Sequence, residues 1–271
     1  MSIGSEAGFH DRVVEILRDV AAVVIIPRFN RLAEGDVRAK THAGDLVTIA
    51  DEEAEQLLAE KLAPLVPRSR VVGEEAVSKD ARVLELLAGD EPTWLLDPID
   101  GTVNFVNGVA RFAMMIALIR GGETVMGWIH EPLAGTTLLA EQGAGAWHMG
   151  PDTAPTSRRI PEVTPALSDM TVALHHRAFG PHLGQFGRNL RLGSAAHDYW
   201  ALVEDRIQVL AYRRLKPWDH AAGILIHDEA GGYARLLNGE PYRPAGGPQE
   251  GLLCAPTAEL WENIAALARS T

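Results

Sequence analysis

Trp94-Leu95-Leu96-Asp97-Pro98-Ile99-Asp100-Gly101-Thr102 is a strand-like run that ends in two carboxylates three positions apart, a glycine and a hydroxyl. Carboxylates so placed in a turn can converge on one hard cation, or on two. Gly101 has no Cβ, so the backbone there can approach a ligand closely. A helix starting within residues 101–104 would aim its free N–H groups at the same point, a natural site for phosphate. The plainer alternative is an Asx turn in which Asp100 caps the following helix.

Three other places pose the same choice. Gly73-Glu74-Glu75 follows a short β-branched run, where a glutamate is ordinarily solvated. Pro217-Trp218-Asp219-His220 precedes an apolar helical stretch that Asp219 could simply cap. Asp51, behind Asp45-Leu46-Val47-Thr48, could likewise cap the helix that it opens. Each of these is ordinary alone; the set of four is not.

Around these motifs the chain alternates in character. Phe9, Val13, Ile16, Leu17, Val20, Val23 and Val24 recur at helical spacing before Pro27, and Ala54, Leu57, Leu58 and Leu62 form a second helical face. Strands are expected at 69–73, 93–96, 112–119, 124–130 and 136–140. Residues 150–165, rich in Pro, Ser and Thr, mark a boundary between lobes 1–150 and 151–271. Beyond it, segments at 170–174, 183–189, 195–203, 207–211 and 221–229 alternate before a helix at 257–269. The expected architecture is an α+β lobe joined to an α/β lobe.

Composition removes other classes. A formal charge of −11 and no basic stripe argue against nucleic acid as a partner. One cysteine, Cys254, excludes a disulfide framework and a multi-cysteine metal site. The apolar run 20–26 is too short to cross a membrane, where about 20 residues are needed. Glu6, Asp11 and Glu15 occupy the place of a basic leader region, so a cytoplasmic location is the expectation. Gly143-Ala144-Gly145 leads into Trp147 rather than a helix and reads as a hairpin turn. Ser194, His197 and Asp198 lie on one helical stretch without a nucleophile elbow, and His175-His176 lacks partners at zinc spacing. A D-x-D-x-T aspartyl-phosphate mechanism fails because the second aspartate comes one residue too late.

In order and spacing, Glu74-Glu75, the Asp97–Asp100 motif with Gly101-Thr102, and Trp218-Asp219-His220-Ala221-Ala222-Gly223 resemble the inositol monophosphatase family of lithium-sensitive phosphatases. The resemblance extends over nearly the whole chain, through Asp45–Asp51, Asn104-Phe105, Gly143–Ala146 and Gly193-Ser194-Ala195-Ala196. It implies a layered α/β/α/β/α sandwich of the inositol monophosphatase/fructose-1,6-bisphosphatase type and a homodimer. It also implies two or three Mg²⁺ ions, one held by Glu74, Asp97 and the Ile99 carbonyl, another by Asp97, Asp100 and Asp219. Glu74, Thr102 and Asp51 would serve the attacking water. Gly101 and Thr102 would hold the phosphate, with Gly193, Ser194, Ala195 and Tyr212 around the substrate.

The family pattern breaks at Tyr212, seven positions before Asp219, where relatives acting on inositol phosphates carry an acidic residue for the sugar hydroxyls. Arg213, Arg214 and Lys216 follow it. Three readings therefore stand. The first is hydrolysis of myo-inositol 1-phosphate or a similar small phosphomonoester. The second is a family relative acting on a bisphosphate, a nucleotide 3′-phosphate or histidinol phosphate. The third is a non-catalytic phosphate-binding protein.

Overall fold

A computed structural model describes residues 8–40, 46–162, 165–246 and 249–270. Asp45 lies outside them. In chain order the elements are α1 (Phe9–Val20), β1 (Val37–Ala39), β2 (Leu46–Thr48), α2 (Ile49–Leu62), β3 (Arg70–Gly73), α3 (Glu74–Lys79), β4 (Thr93–Asp100) and α4 (Thr102–Val106). Then follow β5 (Ala113–Arg120), β6 (Glu123–Glu131), β7 (Thr136–Glu141), β8 (Gly145–Met149), β9 (Thr156–Arg158), β10 (Thr171–Leu174) and β11 (Arg188–Asn189). The chain closes with α5 (Ala195–Val203), β12 (Val209–Arg214), α6 (Pro217–Glu229), β13 (Tyr233–Leu236), β14 (Glu250–Ala255) and α7 (Ala258–Arg269).

Seven strands, β3 to β9 in sequence order, form one sheet, antiparallel except for the β3–β4 pair. Five more form a second sheet in the order β11-β10-β12-β14-β13. Side-chain alternation explains the layering. Trp94 and Leu96 of β4, with Met114, Ile116 and Leu118 of β5, pack against α1 and α2. Leu95, Met115, Ala117 and Ile119 point the other way, onto α5 and α6. Those two helices also cover Leu210, Leu252 and Cys254 of the second sheet, whose opposite face packs on Trp261 and Ile264 of α7. The result is the expected α/β/α/β/α sandwich. Strands buried on both faces read as continuous apolar runs, which is why β4 and β5 were legible.

Sequence periodicity did not show β8, β13 or β14, nor the β1–β2 hairpin. The 150–165 segment is not bare linker: β9 within it pairs with β8 at the edge of the first sheet. Residues 183–189 form the end of a 3₁₀ segment, Arg177–Gln185, and a two-residue strand rather than one longer element. No helix among the described residues is long and apolar enough to cross a membrane.

Candidate active site

In a regular strand, residues 97 and 100 would face opposite sides of the sheet. Here Asp97 pairs with Met115 and Asp100 with Ala113, so β4 spends three steps where β5 spends two. This β-bulge re-aims both carboxylates to one side. Pro98, which has no N–H to donate, falls within it, where such a residue is tolerated. The motif is therefore a bulged strand end and not the free turn expected from sequence.

Asp100 does not cap α4. Gly101 takes the N-cap place with φ +89°. The Asp100 carboxylate instead accepts from Ala195 N at 3.1 Å, Ala196 N at 2.8 Å and the Ser194 hydroxyl, closing the N-terminus of α5 across the chain. Nor does Asp219 cap α6. The helix starts four residues earlier than expected, with Pro217 in its first turn and Lys216 at the cap, so Asp219 sits inside the first turn with its carboxylate free of that task. Asp51 is also not the N-cap. Thr48 is, and the Asp51 carboxylate accepts from Thr48 N–H at 2.8 Å, which completes a capping box.

Oxygens of Glu74, Asp97 and Asp219 lie within 4.8 Å of one another. They line a cavity of about 180 Å³ together with Ile99, Asp100, Gly101, Thr102, Gly193 and Lys216. Glu74 arrives there as the first residue of α3. Its neighbours' N–H groups, on Glu75 and Ala76, donate to Glu55 at 2.7 and 2.9 Å. A Cβ on Gly73 would fall 2.1 Å from the Glu55 carboxyl, so that cap requires glycine. The Thr102 hydroxyl lies 3.3 Å from Asp51 Oδ1 and 3.0 Å from the Ile99 carbonyl. Ser194 and Ala195 reach the site through Asp100. Tyr212 does not line the cavity: its hydroxyl donates to buried Asp198 at 2.6 Å.

Sequence reasoning missed Lys40. Its ammonium lies 2.9 Å from Glu74 and 2.6 Å from Glu75, and Lys216 reaches Glu74 at 3.4 Å. Burial alone would lower the Lys40 pKa, but the two glutamates outweigh it and raise it. An isolated lysine in a loop carries no periodic signal that could have marked it. The lysines supply positive charge where an all-oxygen donor set asks for a cation, and the donor chemistry fits Mg²⁺.

The carboxylates resist ionisation in the metal-free protein. Burial raises Asp97 well above its ordinary range, with Glu74, Asp100 and Asp219 adding repulsion. Asp219 is raised by burial and then by Glu74. Burial also lifts Asp51 to about 7 despite its bonds to Thr48. Each group binds its proton more tightly folded than unfolded. Its stabilising contribution is complete below the ordinary value of 3.8 and is lost as pH rises through the folded value. Buried His130, His220 and His227 work in the opposite sense. Burial lowers them to about 4, so their cost appears only as pH falls below 6.5. In chelator, the melting temperature should therefore rise as pH drops from about 8 to about 6.5, and saturating Mg²⁺ should flatten that slope. A flat profile in chelator would show that burial and mutual repulsion do not hold these carboxylates above their ordinary range.

A layered sandwich with an oxygen-only cluster beside helix N-termini defines a class, the metal-dependent phosphatases. The chain belongs to the inositol monophosphatase family, which it matches over residues 10–271. It is 35% identical to the inositol-1-monophosphatase SuhB of Mycobacterium tuberculosis, over 89% of this chain and 84% of that one. It is 30% identical to a Thermotoga maritima fructose-1,6-bisphosphatase/inositol-1-monophosphatase, over 85% of each chain. The solved Thermotoga maritima IMPase superposes with a TM-score of 0.80 at 25% identity, covering 96% of both chains. The protein is a phosphatase of this family.

Proposed function

We propose that the protein is a Mg²⁺-dependent phosphomonoesterase for a small polyol or sugar phosphate, with myo-inositol 1-phosphate as the leading candidate. The convergence of Glu74, Asp97 and Asp219 within 4.8 Å carries this reading. Relatives named as inositol-1-monophosphatases support the substrate class. Glu74, Asp97 and the Ile99 carbonyl would hold one ion, and Asp97, Asp100 and Asp219 another. Bound there, Mg²⁺ would supply Lewis-acid activation of water and charge neutralisation at the departing alkoxide.

The chain's own groups do the rest. Thr102, within reach of both Asp51 and the Ile99 carbonyl, would orient the attacking water beside Glu74. The Gly101 and Thr102 N–H groups would meet phosphate oxygens as charge develops on them. Asp100, fixed by three donors from the start of α5, would keep the second lobe's Asp219 in register with the first lobe's ligands. We further propose a cytoplasmic homodimer, on the family resemblance.

Phosphate release from myo-inositol 1-phosphate should require Mg²⁺, vanish in chelator and be inhibited by Li⁺. Full-rate hydrolysis after chelation would refute the two-ion mechanism, and no hydrolysis of any phosphomonoester would favour a binding protein. A second reading, an alcohol bearing another anionic group, is favoured by Tyr212 standing where an acidic residue would receive hydroxyls. Tyr212→Phe should destabilise the fold by about 1.5–3 kcal/mol, the value of a bond to a buried charge, while leaving kcat nearly unchanged. A loss of kcat without loss of stability would put the hydroxyl on the substrate instead.

A further inference from the structure

Ser194 and His197 do meet an acid, and it is Glu131 rather than the neighbouring Asp198. His197 Nδ1 lies 2.9 Å from the Ser194 hydroxyl oxygen, and His197 Nε2 lies 3.1 Å from Glu131 Oε1. Hydroxyl, imidazole and carboxylate in that order are the parts of a nucleophilic triad. Here the line runs the other way. The Ser194 hydroxyl is buried and donates to Asp100 Oδ2, so its single hydrogen is not offered to the imidazole. Its oxygen accepts instead, from the His197 backbone N–H at 3.2 Å and from Nδ1 of the ring. The other nitrogen, Nε2, faces the Glu131 carboxylate, which accepts only. Both ring nitrogens are therefore called on to donate.

The line joins three elements. Glu131 ends β6, Asp100 ends β4 and His197 lies in the first turn of α5. That turn supplies all three bonds that hold Asp100, from the Ser194 hydroxyl, Ala195 N and Ala196 N. An ionised carboxylate has about four lone-pair sites, so roughly one is left for the cavity that Asp100 lines. Where that last site falls depends on where the turn sits. Asn104 fastens the chain just ahead of the turn, through the carbonyls of Leu192 and Gly193. His197 fastens the turn itself, through Glu131, to the first sheet. A hydroxyl that accepts from a ring N–H is also polarised into a stronger donor toward Asp100.

We propose that His197, backed by Glu131, is a positioning residue that sets the affinity of the Asp100 carboxylate for Mg²⁺. The proposal rests on the metal-site reading above, in which Asp100 is a ligand, and extends it to two residues that act only through Ser194. The triad-like geometry thus serves a carboxylate and not a nucleophile.

Two substitutions divide the line. His197→Asn keeps a donor near the Nδ1 position, for Ser194, whereas His197→Gln keeps one near the Nε2 position, for Glu131. Mg²⁺ is titrated into the full chain, with two readouts: the melting temperature and the rate of phosphate release from myo-inositol 1-phosphate. His197→Gln should raise the half-saturating Mg²⁺ concentration about tenfold in both readouts. His197→Asn and Glu131→Gln should each raise it about threefold, because the Ser194 contact survives. At saturating Mg²⁺, kcat should stay within about twofold of the wild type. A bridge that merely held the fold would lower the melting temperature in chelator and leave half-saturation unmoved, and that result would overturn the proposal. So would covalent labelling of Ser194 by a fluorophosphonate, the mark of a nucleophile. Should His197→Gln fail to fold, half-buried Glu131→Gln carries the same test. If Mg²⁺ does not move the wild-type melting temperature at all, the metal-site reading falls and takes this one with it. A responsive wild type with unmoved variants refutes this inference alone.

Discussion

Asp219→Asn should lose about two orders of magnitude or more in kcat while the protein stays folded. The side chain is inside the first turn of α6 and makes no capping bond, so the nearly isosteric amide removes no structural contact. Its only structural cost is a weaker interaction with the helix dipole, about 0.3–1 kcal/mol. Against that stands relief of repulsion, since Asp219 is buried and faces Glu74 and Asp100. In chelator the variant should melt at or above the wild-type temperature. With Mg²⁺ its stabilisation should be smaller than that of the wild type, because the ligand set shared with Asp97 is incomplete. Loss of one ion from a two-ion clamp removes about 3 kcal/mol or more of transition-state stabilisation, which is a hundredfold in rate. Melting curves with and without Mg²⁺, paired with one rate, decide the matter. Unchanged activity together with an unchanged Mg²⁺ shift would show that Asp219 is not a ligand.

The sandwich was legible where burial is two-sided. Met114 to Ile119 point alternately at α2 and at α5 and α6, so every position is apolar and the strand announces itself. It was less legible at β13, where Arg235 interrupts the run, and in β8, whose Trp147 and His148 are only half buried. At the site, the carboxylate identities were legible as motifs, but their geometry was not. The bulge between Asp97 and Asp100 depends on register against β5, which is a property of two strands and not of one. The same limit hid Asp100's service to α5, 95 residues on, and the Glu55 cap on α3. A single helix start has local signals, and Thr48 with Asp51 shows them; a cap supplied from another layer has none. Lys40 and the Glu131–His197–Ser194 line were hidden for the same reason, since their partners lie in other elements.

Gly101→Ala should be the most damaging single substitution near the site, in stability as well as in rate. Gly101 holds φ at +89°, a region where an L side chain costs about 1–2 kcal/mol before any contact is considered. Contact makes it worse. The added Cβ would lie 2.8 Å from the Arg111 carbonyl oxygen and 3.1 Å from Ser194 Cβ. The first neighbour is backbone and cannot rotate away. The second belongs to the residue that donates to Asp100 and caps α5. Relief of the clash must therefore move either the loop at Arg111 or the start of α5. Asn104 ties these together, donating to the carbonyls of Arg111, Leu192 and Gly193. A shift there separates Asp100 from its donors and opens the cavity between the two sheets' ligands. The expected cost is about 2–4 kcal/mol of folding free energy. Activity should be lost even below the melting temperature, because the Gly101 and Thr102 N–H groups proposed to meet the phosphate would turn away together. Asp219→Asn and Gly101→Ala then separate cleanly: the first keeps the melting temperature in chelator and loses the response to Mg²⁺, whereas the second lowers it in both. A Gly101→Ala protein that melts with the wild type would mean that the turn relaxes without cost, and that the close approach of Gly101 to Ser194 at the start of α5 does not position the site.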